Sequence, residues 1–131
     1  MVVGGWPRPR GYSDGILAAP GRTLFIAGQV AWDEQHRIVG GKDFAAQFDR
    51  ALANVLEIVR AAGGEPDDLT HLTLYVTDRR LYTAAQPAVG ALYRARMGNY
   101  YPAMTLVEVA ALLEEGALVE IDATAVIPER R

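Results

Sequence analysis

The stretch from Asp43 to Ala62, DFAAQFDRALANVLEIVRAA, constrains the fold more than any other part of the chain. Its apolar residues recur every three or four positions, which places them along one side of an α-helix: Phe44, Phe48, Leu52, Val55 and Val59. Asp43 is a suitable N-cap, and Gly63-Gly64 is a suitable helix end. Because a helix with one apolar side needs a second layer to cover it, the rest of the chain must supply that layer.

Alternating side chains and turn residues predict a β-sheet as the second layer. Strands are predicted for five segments, of which the first two form a β-hairpin around Pro20-Gly21: 15–20, 21–30, 71–78, 103–110 and 118–127. A second helix is predicted over 81–97, and because Pro87 lies inside this span, the alternative start is near that proline. The order ββαβαββ predicts an α+β fold in one domain, 1–131, with a mostly antiparallel sheet and two helices on one face.

Composition excludes several classes of function. The chain of 131 residues has a net charge of −3 and no basic run, so no nucleic-acid partner is predicted. It has no cysteine, which removes disulfides, thiolate zinc sites and cysteine nucleophiles. No apolar run approaches the ~20 residues of a membrane helix, and the first residues lack a signal-peptide pattern. We therefore predict a cytoplasmic protein without a membrane partner.

The sheet face that turns away from the helices has mixed character. In the last strand, four apolar side chains point one way, and Glu120, Asp122 and Thr124 are among those that point the other way. A face of this kind predicts an oligomer interface that contains polar pockets. The alternative is a solvated sheet with a few exposed apolar residues.

Several motifs resemble the Rid family (reactive intermediate deaminase), also called YjgF or L-PSP. They are GYSDGI, LFIAGQV, LTLYVTD and YPAMTLVEVAALLEEGALVEIDATAV, and the resemblance covers Gly11 to Val126. The C-terminal signature is the most specific part, and it matches at Pro102, Ala103, Thr105, Val107, Ala110, Leu112 and Val119-Glu120-Ile121. The resemblance implies a chorismate-mutase-like α+β fold. It also implies a homotrimer with a central barrel of sheets, outer helices and pockets in the clefts between subunits.

The resemblance also implies roles for individual residues. In deaminating members a signature arginine binds the substrate carboxylate, and a glutamate in the last strand positions the water that attacks the imine carbon. The glutamate corresponds to Glu120, and an aromatic residue of the N-terminal segment corresponds to Tyr12. The arginine position is Met104, whose thioether has no charge and no N–H donor. Losing a charge-assisted bidentate contact costs about two orders of magnitude in affinity. A small apolar metabolite without a carboxylate at that end is therefore the expected ligand.

Three further residues are candidates for substrate binding. Trp32 and Tyr101, together with Tyr12, can wall a pocket for an apolar or aromatic ligand, although loop anchoring is an alternative role. Glu108 shares a strand face with Met104 and can bind a substrate amine or form hydrogen bonds within the barrel.

Metal ions and cofactors are not predicted. The two histidines, His36 and His71, lie in no metal-ligand pattern, and the chain has no glycine-rich phosphate loop. Arg22, Arg94 and Arg96 are candidates to replace the missing signature arginine. Arg94 and Arg96 lie late in the second predicted helix, where basic side chains complement the helix dipole, and we interpret them in that way.

Three functions compete. The first is an enzyme that hydrolyses an imine or enamine without the usual carboxylate, in which Glu120 positions water and Met104 holds the apolar substrate. The second is a trimer that binds a small metabolite without turnover. The third, an endoribonuclease, is disfavoured by the acidic net charge.

Overall fold

A computed structural model describes residues 1–129 of the chain. The fold is of the α+β class, as predicted, with four strands and three helices and with a 3-10 turn at Pro66–Asp68. In chain order these elements are β1 Arg22–Gln29, α1 Phe44–Ala61, β2 Leu69–Val76, α2 Arg79–Ala84, α3 Gln86–Met97, β3 Ala103–Glu108 and β4 Val119–Ile127.

Helix α1 begins and ends within one residue of its predicted limits. The Asp43 side chain accepts a hydrogen bond from the backbone N–H of Ala46 at 3.2 Å, which satisfies a donor left free at the helix start. After the helix the chain turns at Gly63, whose φ of 85° lies in the left-handed region that favours glycine. All five residues of the predicted apolar stripe are buried, so α1 covers the sheet with the side that the sequence indicates.

The sheet has the strand order β1-β4-β2-β3. Strand β4 pairs antiparallel with β1 and with β2, whereas β2 and β3 are parallel. A parallel pair requires a crossover connection, which α2 and α3 provide. The register pairs Leu72 with Met104 and Tyr75 with Glu120. Because side chains alternate along each strand, Met104 faces the helices and Glu120 faces away from them.

The hydrophobic core lies between α1, α3 and the helix-facing side of the sheet. On β2 and β4 this side is fully or almost fully buried, through Leu72, Leu74, Val76, Val119, Ile121, Ala123 and Ala125. Each fully buried large aliphatic side chain contributes about 1.5–3 kcal/mol relative to an exposed one. The core therefore fixes which strand positions face the helices and which face outward.

The predicted hairpin is wrong in its first strand, because residues 15–19 form no strand and Leu17 is 91% exposed. Ser13 forms a β-bridge with Ala103 of β3, at the sheet edge opposite to β1. The four strand spacings that separate this bridge from β1 amount to about 19 Å. Because residues 14–21 span that distance, they cannot turn back and pair with β1. The order is therefore βαβααββ rather than ββαβαββ.

The predicted second helix is also wrong as one continuous element, because the chain forms α2 and α3 in its place. Pro87 lies in the first turn of α3, where the missing proline N–H costs nothing, and the helix starts near this residue as predicted. Residues 1–129 accordingly contain three helices rather than two.

The side of the sheet away from the helices is called the outer face below. Its side chains come from all four strands and include Phe25, His71, Thr73, Tyr75, Thr105, Val107, Glu120, Asp122 and Thr124. Phe25 is 79% exposed and Val107 is 38% exposed, so the predicted mixed character is confirmed. None of the helices in residues 1–129 is long and apolar enough to cross a membrane.

Candidate functional site

A cavity of about 520 Å³ opens on the helix side of the sheet, between β3, α3 and the N-terminal segment. Phe48, Leu74 and Val89 are buried and form its floor, whereas Tyr12 and Gln86 are exposed and form part of its rim. This volume suits a small organic molecule, and a mostly apolar lining with a few polar groups is typical of ligand sites.

Met104 lies in the wall of this cavity, beside Leu106 on β3. Its side chain is partly buried and packs against the edge of the hydrophobic core. The thioether presents an apolar, polarizable surface to the cavity and no hydrogen-bond donor. The wall at this position can therefore bind an apolar group and cannot hold a carboxylate.

The segment that carries Tyr12 is tied to the start of β3. The backbone N–H of Ser13 donates to the Pro102 carbonyl at 3.0 Å, and the Ser13 hydroxyl donates to the Tyr101 carbonyl. These bonds hold Tyr12, which is 43% exposed, over the cavity next to Met104. Tyr12, Tyr101 and Met104 are thus three predicted site residues that the fold brings together.

A stack of tyrosines supports the cavity wall. The rings of Tyr101 and Tyr93 are parallel within 8°, with their centroids 5.0 Å apart. Burial raises the pKa of the Tyr93 phenol well above its usual value, so the hydroxyl stays protonated and donates to the Tyr100 carbonyl at 2.7 Å. The Tyr100 hydroxyl donates to the Leu69 carbonyl, which fits the loop-anchoring role considered for such aromatics. This network holds the Tyr101 ring in place.

Glu120 lies on the outer face, so within one chain the sheet separates it from the cavity. Its side chain is partly buried, and its carboxylate takes part in no hydrogen bond within residues 1–129. It packs directly on the backbone of Gly28, where a Cβ atom would come within 2.0 Å of Glu120 Oε2. The register of β1 against β4 shifts between Ile26 and Gln29, so a β-bulge lies beside this carboxylate. Bulges often aim side chains at functional sites.

Asp122, next to Glu120 on the same face, has a partner of its own. The Tyr75 hydroxyl donates to Asp122 Oδ2 at 3.1 Å. This hydrogen bond and the Asp122 charge raise the pKa of Tyr75. The pair fits the structural role assigned to Asp122 from the sequence.

Trp32 and Glu108 do not line this cavity. Trp32 stacks on His36 with centroids 4.0 Å apart and lines a separate cavity of about 450 Å³ beside α1. The Glu108 carboxylate accepts a hydrogen bond from the Arg79 backbone N–H at 2.9 Å, at the start of α2. In this structure Glu108 therefore supports a helix end.

Sequence reasoning missed two residues of the site. Gly28 makes room for Glu120, and Arg10 lies at the cavity rim, together with Arg94, which the sequence had named as a candidate. Gly28 gave no sequence signal beyond a glycine inside a strand, which often marks a bulge. In the part of the chain that the structure describes, no group of three or more His, Cys, Asp or Glu side chains is arranged to hold a metal ion.

Comparisons with known proteins agree with this architecture. The family described as Endoribonuclease L-PSP matches residues 7–127. A RutC family protein of Pyrococcus horikoshii is 33% identical over 91% of this chain and 90% of that protein. The human 2-iminobutanoate/2-iminopropanoate deaminase is 29% identical over 88% of this chain and 79% of that protein. The crystal structure of YyfB from Yersinia pestis, of the conserved Rid protein family, superposes with a TM-score of 0.80 at 37% identity, covering 89% of this chain and 87% of that one.

Proposed function

The chain belongs to the Endoribonuclease L-PSP family, which includes the Rid and YjgF proteins, and from that premise we propose that it hydrolyses an imine or enamine of a small metabolite. The location of Met104, at the signature position and in the wall of an aromatic cavity, carries the proposal. The substrate places an apolar group against Met104 and has no carboxylate at that end. Substrates of the human relative, 2-iminobutanoate and 2-iminopropanoate, have a carboxylate next to the imine carbon, and they fit this cavity poorly.

Glu120 is the proposed water-positioning group. A partly buried carboxylate without a hydrogen-bond partner in the described chain can accept a hydrogen bond from water. The water oxygen attacks the imine carbon while Glu120 takes one of its protons. Return of a proton to the nitrogen then allows the carbon–nitrogen bond to break, which releases ammonia or an amine and leaves a carbonyl compound.

A homotrimer is part of this proposal. Because the sheet separates Met104 from Glu120 in one chain, a site that uses both residues requires a second copy of the chain. The outer face supports this arrangement, since it carries Glu120 and also exposes Phe25 and Val107. Packing the outer faces of neighbouring copies together covers these apolar side chains. A pocket at the subunit interface further requires that the same assembly bring Glu120 of one copy to the open side of the cavity of another copy.

One observation favours the second candidate, a trimer that binds a small metabolite without turnover. None of the described residues that line the cavity is a carboxylate or a histidine, so one chain alone offers no general base there. The two candidates therefore differ in whether Glu120 of another copy acts on the bound molecule.

An assay of ammonia release separates the two functions. Imines are generated in situ by an amine oxidase, for uncharged substrates, or by an amino-acid oxidase, for 2-imino acids. We expect wild-type protein to accelerate hydrolysis of uncharged imines, and Glu120→Gln to slow it by about 10²-fold. The matched control Glu115→Gln removes an exposed loop carboxylate and leaves the rate unchanged. Failure of wild-type protein to accelerate any imine favours the binding protein, and full activity of Glu120→Gln removes Glu120 from the mechanism.

A further inference from the structure

Three polar side chains form a cluster on the outer face, Tyr75 on β2 and Glu120 and Asp122 on β4. We propose that Tyr75 is a positioning residue, which binds Asp122 and so leaves Glu120 as the carboxylate that holds the water. This inference rests on the proposed hydrolysis. It adds the residue that determines which of two neighbouring carboxylates acts as the base.

The direction of the Tyr75 side chain is the first observation. The Cα of Tyr75 is paired with that of Glu120 across the two strands, whereas the partner of Asp122 is Thr73. Side chains directly opposite each other have Cβ atoms about 4.5–5.5 Å apart, and diagonal neighbours are about 7–8 Å apart. The Tyr75 hydroxyl donates to the diagonal neighbour, Asp122 Oδ2, at 3.1 Å. The phenol therefore reaches past the carboxylate directly opposite to it.

The second observation is that this hydroxyl has one proton to donate. A phenol is a single O–H donor, so the bond to Asp122 leaves none for Glu120. The hydrogen bond to Asp122, the Asp122 charge, partial burial and the Glu120 charge all raise the pKa of Tyr75, so the phenol keeps its proton at neutral pH. Asp122 thus has a fixed donor, while the Glu120 carboxylate takes part in no hydrogen bond within residues 1–129.

The neighbouring strands leave this cluster to itself. In the described part of the chain, Asp122 and Glu120 supply the charges that shift the pKa of Tyr75. Strand β3 presents Val107 opposite Tyr75. The remaining titratable group on the face of β2 is His71, which lies four residues back along the strand, about 13 Å away. The three groups of the cluster therefore interact with one another.

Two carboxylates this close can interfere with each other in catalysis. Glu120 and Asp122 are two residues apart on one strand face, which places their Cα atoms about 6.7 Å apart. Without the phenol donor, Asp122 can bind the same water or share one proton with Glu120. A base that is protonated, or whose water is held by another group, does not activate water. The hydrogen bond from Tyr75 prevents this competition.

Three variants separate this role from a structural one, with imine hydrolysis measured by ammonia release. We expect Tyr75→Phe, which frees Asp122, to lower the rate about tenfold, a part of the contribution of a general base. Adding Asp122→Asn to that variant should restore most of the rate, because an amide side chain cannot share a proton with Glu120. Asp122→Asn alone should stay close to wild type, since its side-chain carbonyl still accepts the phenol hydrogen bond.

Thr70→Val is the matched control, because it removes another hydroxyl that links β2 to β4. The Thr70 hydroxyl donates to the Thr124 carbonyl at 3.0 Å, and we expect its loss to leave the rate unchanged. A defect of Tyr75→Phe that Asp122→Asn does not restore shows that Tyr75 acts through packing alone, and it overturns the proposal. Full activity of Tyr75→Phe, or an equal defect in Thr70→Val, overturns it as well.

Titration of the phenol tests the cluster without a substrate. With ¹³C-labelled tyrosine in the full chain, the NMR signal of Tyr75 is the one that Tyr75→Phe lacks. We expect Asp122→Asn to lower the pKa of Tyr75 further than Glu120→Gln does, because the hydrogen bond to Asp122 is the largest cause of the raised pKa. The reverse order contradicts the assigned hydrogen bond.

The outcomes for this role and for the proposed reaction are distinct. Wild-type protein that hydrolyses no imine removes the proposed function and, with it, the role of Tyr75. Active wild-type protein that loses activity in Glu120→Gln and keeps it in Tyr75→Phe removes the role of Tyr75 alone.

Discussion

At the scale of single residues, the proposed chemistry depends on two side chains on opposite faces of one sheet. Met104 provides an apolar wall on the helix side, and Glu120 provides a carboxylate on the outer face that has no hydrogen-bond partner in the described part of the chain. Gly28 determines where that carboxylate lies, because only a residue without a side chain leaves room for it. The residues around Met104 and Glu120 therefore set the geometry of any reaction at this site.

The first prediction concerns Gly28→Ala. The φ of Gly28 is not positive, so the backbone accepts alanine, but the new Cβ would lie 2.0 Å from Glu120 Oε2. The carboxylate must move, and a displacement of about 1 Å can lower a rate by about 10²-fold. We expect a comparable loss of imine hydrolysis with little change in stability, measured by ammonia release and thermal unfolding. Gly4→Ala, where an added Cβ meets nothing within 4 Å, is the control. Full activity of Gly28→Ala contradicts a precise role for Glu120.

The second prediction concerns the signature position. Met104→Arg places a guanidinium where the family resemblance implies the carboxylate-binding arginine, so hydrolysis of 2-iminobutanoate should rise by about tenfold or more over a low wild-type rate. The assay couples an amino-acid dehydratase or oxidase to ammonia detection, with both proteins measured side by side. Met104→Leu, which keeps the wall apolar, should gain nothing. High wild-type activity on this imino acid contradicts the interpretation of Met104, and a folded variant without any gain shows that the pocket differs at more than one position.

Sequence alone identified some of these residues and not others. Alternation along β4 placed Glu120 on the outer face, and the family signature pointed to Met104 and Tyr12. The sequence could not indicate that the Arg94 side chain lies over Gly90, because helical spacing does not reveal the conformation of a long, flexible side chain. Nor could it separate Trp32 from Tyr101, since the two differ only in tertiary position.

At the scale of elements, one buried polar side chain joins α1 to the loop before β4. Gln47 is fully buried, and its Nε2 group donates to the carbonyls of Gly41 and Gly116 at 2.7 and 2.9 Å. Its Oε1 atom accepts from the Leu118 backbone N–H at 2.8 Å. These three bonds satisfy backbone groups that no strand or helix reaches, and they fix the chain as it enters β4.

The third prediction follows from this connection. Gln47→Leu introduces an apolar side chain of similar size and leaves three backbone groups without their partner, at about 1–3 kcal/mol each. We expect the free energy of unfolding to fall by about 3 kcal/mol or more, measured by urea denaturation. Gln35→Leu, at an exposed loop position, should stay within about 0.5 kcal/mol of wild type. A loss below about 1 kcal/mol for Gln47→Leu contradicts the structural role assigned to these bonds.

Local signals explain which elements could be predicted. Helix α1 has its cap, its apolar stripe and its terminating glycine within its own sequence, so its limits were predicted within one residue. The strand expected at 15–20 depended on a partner, and the bridge from Ser13 to Ala103 commits that segment to the opposite edge of the sheet. Pairing between distant segments is a tertiary choice that an apolar run does not encode.

At the scale of the whole molecule, the outer face is the surface that the fold leaves uncovered. Phe25 exposes 79% of its area on β1, while the helix-facing side of the same sheet is buried under α1 and α3. Exposed aromatic residues on a sheet are typical of interfaces. The predicted homotrimer uses this face, and it also supplies the second copy that a site with both Met104 and Glu120 requires.

The last prediction tests this assembly. Light scattering and sedimentation of wild-type protein at micromolar concentration should give three times the mass of one chain. Phe25→Asp places three like charges in the interface and removes apolar contact, so we expect it to shift the mass toward that of one chain while the circular dichroism spectrum stays the same. Leu81→Asp, at a partly exposed apolar position on α2, should remain trimeric.

If the assembly brings Glu120 to the cavity, dissociation by Phe25→Asp must also abolish imine hydrolysis, although Phe25 does not line the cavity. A wild-type monomer, or a dissociated variant with full activity, contradicts a shared site.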